Sequence, residues 1–148
     1  MIKLVDFKKK QNSLDIYKKR EKKEGNEMKF TIEKNILLEN LTNVVKAIST
    51  KNIIPILNGV KFELNEDGLY LSASDSDISI RTFIAKEDIV DIITLGSVVI
   101  SGKYIVEIIK KLPDKEIVIE VLDGYNTIIQ TDGSEFNLNG IDPNEFPN

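Results

Sequence analysis

The residue types that most often perform catalysis are missing from this chain. It contains no histidine and no cysteine, so it has no Ser-His-Asp triad, no thiol nucleophile and no Cys/His zinc site. The remaining candidates are Asp75 and Asp77, which alternation along a strand would place on one face, where two carboxylates could hold Mg²⁺. No third acidic partner is in view, so a solvated strand face explains the pair better. The missing residue types therefore make catalysis the less favoured function, although enzymes can also work with carboxylates, lysine or bound Mg²⁺.

Lysines on two amphipathic segments are the other candidates for chemistry. Residues 35–49 and 101–112 carry apolar side chains at helical spacing, so each predicts a helix with one buried stripe. Asn35 and Ser101 are the expected N-caps, and Pro113 ends the second helix. The polar side of these helices is either simply solvated or a surface for nucleic-acid phosphates. The lysines concerned are Lys46, Lys51 just after the first helix, Lys103, Lys110 and Lys111.

Strands must position these helices. Residues 84–95 predict an irregular strand or loop, and turns are expected at Asp67-Gly68, Asp123-Gly124 and Asp132-Gly133. The order is strand, helix, three strands, given twice. We expect an α+β fold built from a duplicated β-α-β-β-β unit, with two amphipathic helices packed on antiparallel sheets. Alternating residues predict the strands at 29–33, 60–64, 69–71, 78–80, 97–100, 117–121, 127–129 and 135–138.

The composition is typical of one soluble domain. The chain has 148 residues, of which 41% are hydrophobic and 30% charged, enough for a single core. No apolar run approaches the roughly 20 residues of a membrane span, and charges interrupt each apolar stretch before Met28. We therefore expect a cytoplasmic protein, and no cofactor is predicted.

Charge divides the chain in two. Residues 1–27 carry nine basic and five acidic groups, a net charge of +4, whereas residues 28–148 have a net charge of −8. Residues 1–27 predict a disordered basic extension or an arm that touches DNA phosphates. They could also be a translated leader, because Lys23-Glu24-Gly25 can be encoded by a ribosome-binding sequence upstream of Met28. Since residues 28–148, the expected domain, are acidic, a DNA-facing surface must be a local basic patch.

Five segments, in their order and spacing, resemble the first domain of the bacterial β sliding clamp, DNA polymerase III subunit beta. The resemblance covers residues 28–148 nearly end to end. Each segment alone is weak evidence, but together they are specific. The segments are MKFTIE at 28–33, KNIIPIL at 51–57, SGKY at 101–104 with KLP at 111–113, FNL at 136–138 and EFPN at 145–148.

The resemblance implies a replication processivity factor and no catalytic activity. Such clamps carry three similar domains per chain, and two chains close head to tail around duplex DNA with the helices on the inner wall. The five lysines above would then be sparse, non-specific phosphate contacts, with Lys51 at a position that is commonly arginine. The chain stops at Asn148, where the first domain would end, so we expect either a fragment of a clamp or a single domain that is made alone.

The resemblance also implies a ring-closing interface with the third domain of another protomer. The matching residues are Tyr104, Phe136 and Leu138, which could instead all be core, and Phe136 is the favoured anchor as an exposed aromatic residue. The groove that binds clamp-loader and polymerase peptides lies mainly between the second and third domains of a clamp. This chain alone should not recruit polymerase normally. The alternative function is a standalone clamp-like interaction module that does not encircle DNA.

Overall fold

The computed structural model describes residues 27–48, 58–75, 77–113 and 115–146. Strands and two α-helices alternate in these residues, with short 3-10 turns at some of the junctions. Their bounds are β1 Met28–Glu33, α1 Lys34–Val44, β2 Gly59–Asn65, β3 Gly68–Ser74, β4 Ser79–Ala85, β5 Asp91–Thr94, β6 Gly96–Ser101, α2 Gly102–Lys111, β7 Glu116–Val121, β8 Asn126–Gln130 and β9 Glu135–Asn139.

Two antiparallel sheets contain these strands. One has the order β5-β1-β7-β8-β9 and the other β4-β3-β2-β6. We call β1, α1 and β2 to β4 the first half, and β6, α2 and β7 to β9 the second half. The first strand of each half lies in the sheet of the other, because β1 pairs with β7 and β6 pairs with β2. This exchange confirms the predicted α+β class and the duplicated unit.

The core lies where the inner sheet faces meet the helices. In β1 the side chains of Met28, Phe30 and Ile32 are fully buried and alternate with more exposed positions, as expected for a strand with one face in a core. Leu37 and Leu41 of α1 join this cluster. The fold therefore leaves the opposite faces of the helices and sheets available for contacts.

Helix α2 follows its prediction closely. Ser101 occupies the N-cap, and its Oγ accepts the Tyr104 N–H at 3.4 Å. Ile105, Ile109 and Leu112 are buried, with Ile108 half-buried against the core. Nearby residues alone determine the bounds of α2, because a serine N-cap begins the helix and a proline ends it.

Helix α1 differs from its prediction at both ends. The N-cap residue is Glu33, whose side chain makes no capping bond, and Asn35 lies inside the first turn. The Lys34 N–H, the first of the helix, donates to the Lys115 carbonyl at 2.6 Å, so a residue distant in sequence satisfies one of the free N–H groups at the start of α1. The α-helix ends at Val44 and continues as a 3-10 turn only to Ala47, and residues 49–57 lie outside the described residues.

One turn differs in detail from its prediction, and the 84–95 stretch is irregular as expected. The β2–β3 hairpin forms, but its loop is Glu66-Asp67, and Gly68 already pairs with Asn65. Asn65 Oδ1 accepts the Asp67 N–H at 2.8 Å, an Asx turn that moves the loop one residue earlier. The 84–95 stretch contains the end of β4, a 3-10 turn and β5, an edge strand on β1.

Candidate functional site

A groove of about 430 Å³ runs between helix α2 and edge strand β9. We call it the helix groove. It brings together the three residues predicted for a subunit interface, Tyr104, Phe136 and Leu138. The remaining lining residues are Lys103, Glu107, Ile108 and Lys111.

The exposure of the three predicted interface residues differs. The Tyr104 side chain is 58% exposed, whereas Phe136 and Leu138 are half-buried and pack against the core. The expectation that Phe136 is the exposed aromatic is therefore wrong, because β9 folds over the core and places its ring on the groove floor. Tyr104, in the first turn of α2, is the aromatic residue that projects from the surface.

Strand β9 is also an open sheet edge. It pairs with β8 from Asn126↔Asn139 to Gln130↔Glu135, and within the described chain no strand lies on its other side. Backbone donors and acceptors along such an edge can pair with a strand of another chain. The helix groove thus combines apolar side chains with unpaired backbone, as protein interfaces built by strand addition do.

The predicted phosphate-binding lysines fall into two groups. Lys46 and Lys110 are exposed outside the helix groove, while Lys103 and Lys111 are exposed on its rim. Lys46 Nζ lies 3.4 Å from Asn43 Oδ1. Lys51 lies outside the described residues. The lysines of α2 therefore do not form one uniform surface, since two of them are shared with the groove.

Lys34 contacts the end of α2, an arrangement that the sequence analysis missed. Its Nζ donates to the Leu112 carbonyl and, at 3.4 Å, to the Lys110 carbonyl. These carbonyls belong to the last turn of α2, where helix C-termini leave acceptors unsatisfied and carry partial negative charge. The separation of 76 residues between Lys34 and Lys110 hid this contact, and no local pattern could have shown it.

A second, larger groove of about 530 Å³ lies on the face of β2, β3 and β4 that is opposite the core. We call it the sheet groove. Arg81 crosses it with its guanidinium 4.0 Å above the Tyr70 ring and 3.9 Å from Glu63 Oε1. The Tyr70 and Phe83 rings lie next to it, with centroids 4.6 Å apart. Much of the charge around this groove is thus already partnered within the chain.

Asp75 and Asp77 line the sheet groove but do not share a strand face, which corrects their predicted placement. Both lie between β3 and β4, and Asp75 Oδ1 accepts the backbone N–H groups of Asp77 at 2.8 Å and Ile78 at 2.7 Å. These bonds lower the pKa of the Asp75 carboxyl below its ordinary value. Asp75 is therefore a turn-forming residue. Within the described segments no three carboxylates, histidines or cysteines cluster as metal ligands would.

No helix in the part of the chain that the structure describes is long and apolar enough to cross a membrane. Both α-helices are short, with 11 and 10 residues. In this fold they pack against the core through their buried side chains and leave their lysines exposed.

Comparisons with known proteins agree with this fold. The family model described as DNA polymerase III beta subunit, N-terminal domain, matches residues 28–148. The beta sliding clamp of Bacillus subtilis is 48% identical over 124 residues, which cover 81% of this chain and 33% of that protein. The chain thus spans about a third of the length of the curated relatives it matches.

Solved structures give the same result. A DNA polymerase sliding clamp from Bacillus subtilis superposes with a TM-score of 0.80 at 47% identity, covering 82% of this chain and 33% of that one. The beta subunit from Streptococcus pyogenes gives 0.77 at 30% identity, covering 82% and 32%. The chain belongs to the DNA polymerase III beta subunit family, the bacterial sliding clamps, and matches their N-terminal domain.

Proposed function

We propose that this chain acts as the first domain of a ring-shaped clamp that encircles duplex DNA and tethers a replicative polymerase. Residues 28–148 would form the clamp domain, and residues 1–27 would lie outside it. The observation that carries the proposal is the helix groove beside the open β9 edge in a chain of the sliding-clamp family. A ring needs such a surface at each junction between protomers.

The lysines would attract DNA without reading its sequence. Contacts to phosphates position a protein on DNA but carry no base information, and a few exposed ammonium groups give weak, salt-sensitive binding. Lys46 and Lys110 are best placed for this role, since both are exposed and outside the helix groove. Lys103, Lys111 and Lys51 remain proposed contacts.

The helix groove would receive the third domain of a second protomer. Tyr104 would be its projecting anchor, with Ile108, Phe136 and Leu138 as the apolar floor and β9 as the strand that pairs across the junction. Aromatic anchors that enter a desolvated pocket contribute most of the energy of protein interfaces. Lys103 on the rim would favour a carboxylate on the partner, while Lys111, in the last turn of α2, stays a proposed phosphate contact.

The domain would have no catalytic activity of its own and would work in the cytoplasm, where the chromosome lies. Clamp loader and polymerase would bind the complete ring, chiefly at its other domains. With one domain alone, we expect duplex binding of about 10⁻⁴ M or weaker at physiological salt, the ordinary range of non-specific binding.

An NMR titration tests the DNA contact. The ¹⁵N-labelled chain is titrated with a short duplex at about 50 mM salt, where phosphate contacts are strong. We expect shift changes around Lys46 and Lys110 and little change in the sheet groove. Lys110→Ala should reduce the slope of log K against log salt by about 0.9, the value for one lost contact.

Lys86→Ala is the matched control, because Lys86 is an exposed lysine in the 3-10 turn after β4. It removes the same charge and should leave the slope unchanged. Shift changes centred on the sheet groove, or sub-micromolar affinity at physiological salt, would contradict the proposed mode of DNA contact.

A standalone interaction module is the second candidate function, favoured by the helix groove itself. Such a module would use Tyr104, Phe136 and Leu138 for a protein partner without any ring. The titration separates the two functions, because the module predicts no duplex binding even at about 50 mM salt.

A further inference from the structure

We propose that Lys34 is a positioning residue for DNA contact, which fixes and neutralises the end of α2 from which Lys110 and Lys111 project. The inference rests on the proposed function. It concerns a residue whose ammonium is already bonded to two backbone carbonyls and therefore acts through its neighbours.

Lys34 binds the chain on both sides of Pro113. Its Nζ donates to the carbonyls of Lys110 and Leu112 before the proline, and its backbone N–H donates to the Lys115 carbonyl at 2.6 Å after it. Nearby, α2 ends with a bond of the 3-10 type, from the Leu112 N–H to the Ile109 carbonyl at 3.2 Å. One residue thus holds the end of α2 against the start of α1.

The charge at this point matters for a phosphate-binding surface. The last turn of a helix carries roughly half a negative charge on its free carbonyls, which would repel phosphates that approach Lys110 and Lys111. The Lys34 ammonium bonds to two of these carbonyls and offsets that charge. The start of α1 also carries a partial positive charge, which the exposed Glu33 carboxylate at its N-cap partly offsets.

Lys34 itself is half-buried, whereas Lys110 and Lys111 are exposed. An ammonium that already donates to two carbonyls has little freedom to follow a sliding phosphate, while the exposed lysines have that freedom. Lys110 and Lys111 therefore contact phosphates, and Lys34 fixes the position of the helix end from which they project.

The test compares Lys34→Met, which keeps the aliphatic stem, with Lys34→Arg, which keeps the charge and donors. Lys29→Met is the matched control, because Lys29 is another half-buried lysine, on the outward side of β1. In the 148-residue chain without DNA, we expect the Leu112 amide of Lys34→Met to exchange about fivefold faster. Lys34→Arg and Lys29→Met should exchange as the unmodified chain does.

Duplex titrations at several salt concentrations give the second readout. Lys34→Met should bind about threefold more weakly with an unchanged salt slope, because no phosphate contact is lost. Lys34→Arg should restore the affinity. Lys110→Ala should instead lower the slope by about 0.9.

Three results would overturn the inference. If Lys34→Met speeds exchange but binds duplex normally, Lys34 serves stability alone. A slope reduced as in Lys110→Ala would make Lys34 a phosphate contact. If the unmodified chain and Lys29→Met both fail to bind duplex, the proposed function fails, and that outcome is distinct from a defect confined to Lys34→Met.

Discussion

The two halves of the domain have the same order of elements but differ in the surfaces they leave available. In the first half, the sheet groove is the larger cavity, yet Arg81 and Asp75 are engaged within the chain. In the second half, the smaller helix groove presents Tyr104 and an open edge strand. The larger cavity therefore has contact groups that are already engaged, whereas the smaller one has an exposed aromatic side chain and an open strand edge.

The first hairpins of the two halves differ in how closely they are packed. Gly68, at the start of β3, has φ +148° and would place a Cβ 2.1 Å from the Ile84 carbonyl oxygen. Gly124, in the turn before β8, has φ +78° and nothing within 4 Å of such an atom. The first-half hairpin is locked against β4 by backbone contact, whereas the second-half turn is open to solvent.

Replacing the two glycines should give the largest difference between the halves. Gly68→Ala is expected to lower the free energy of unfolding by about 3 kcal/mol, because both the backbone conformation and the contact with β4 resist a Cβ. Gly124→Ala should cost about 1 kcal/mol, since only its conformation is unfavourable. Urea unfolding of both variants measures this, and equal losses would show that the β3–β4 contact does not constrain the hairpin.

Exposed side chains in the two grooves provide the next test. Tyr104→Ala should weaken association with the third clamp domain proposed as its partner by about 2 kcal/mol, roughly thirtyfold, as loss of an aromatic anchor does. The control is Ile78→Ala in the sheet groove, where the side chain is 53% exposed. We expect that variant to bind normally by calorimetry. Equal weakening in both variants, or no association of the unmodified chain, would refute the helix groove as the interface.

Local signals account for what the sequence predicted correctly. Ser101 and Pro113 bound α2 because capping and proline effects act within a few residues, and alternation placed the strands. The start of α1 could not be predicted in the same way. The backbone N–H and the side chain of Lys34 donate to the carbonyls of Lys115 and Leu112. These groups become neighbours only when the sheets assemble.

The prediction of an irregular strand or loop at 84–95 is confirmed, but the position of its strand could not be predicted from the local sequence. Strand β5 exists because Ile92 pairs with Phe30 across a register shift in β1, and such pairing depends on distant sequence. The resemblance to clamps identified Tyr104, Phe136 and Leu138, which the structure brings together. Lys103 and Lys111 lie on the same rim because of the way α2 is rotated against β9. Packing sets that rotation, so the local sequence could not predict it.

The smallest expected difference between the halves concerns the second turn of each. The β3–β4 and β8–β9 turns share one backbone bond, from Asp75 N–H to the Ile78 carbonyl and from Thr131 N–H to the Ser134 carbonyl, both at 2.9 Å. In the first turn, the Asp75 carboxylate also accepts two backbone N–H groups, which lower its pKa.

A carboxyl with a lowered folded pKa stabilises the fold above its unfolded pKa, and the contribution disappears as pH falls through the folded value. Asp75→Ala should therefore slightly destabilise the chain near neutral pH and have no effect in strong acid, while Thr131→Ala should have an effect that does not change with pH. Thermal unfolding of both variants across acidic pH checks this, and a pH-independent loss in Asp75→Ala would mean that the turn depends on its backbone bond alone.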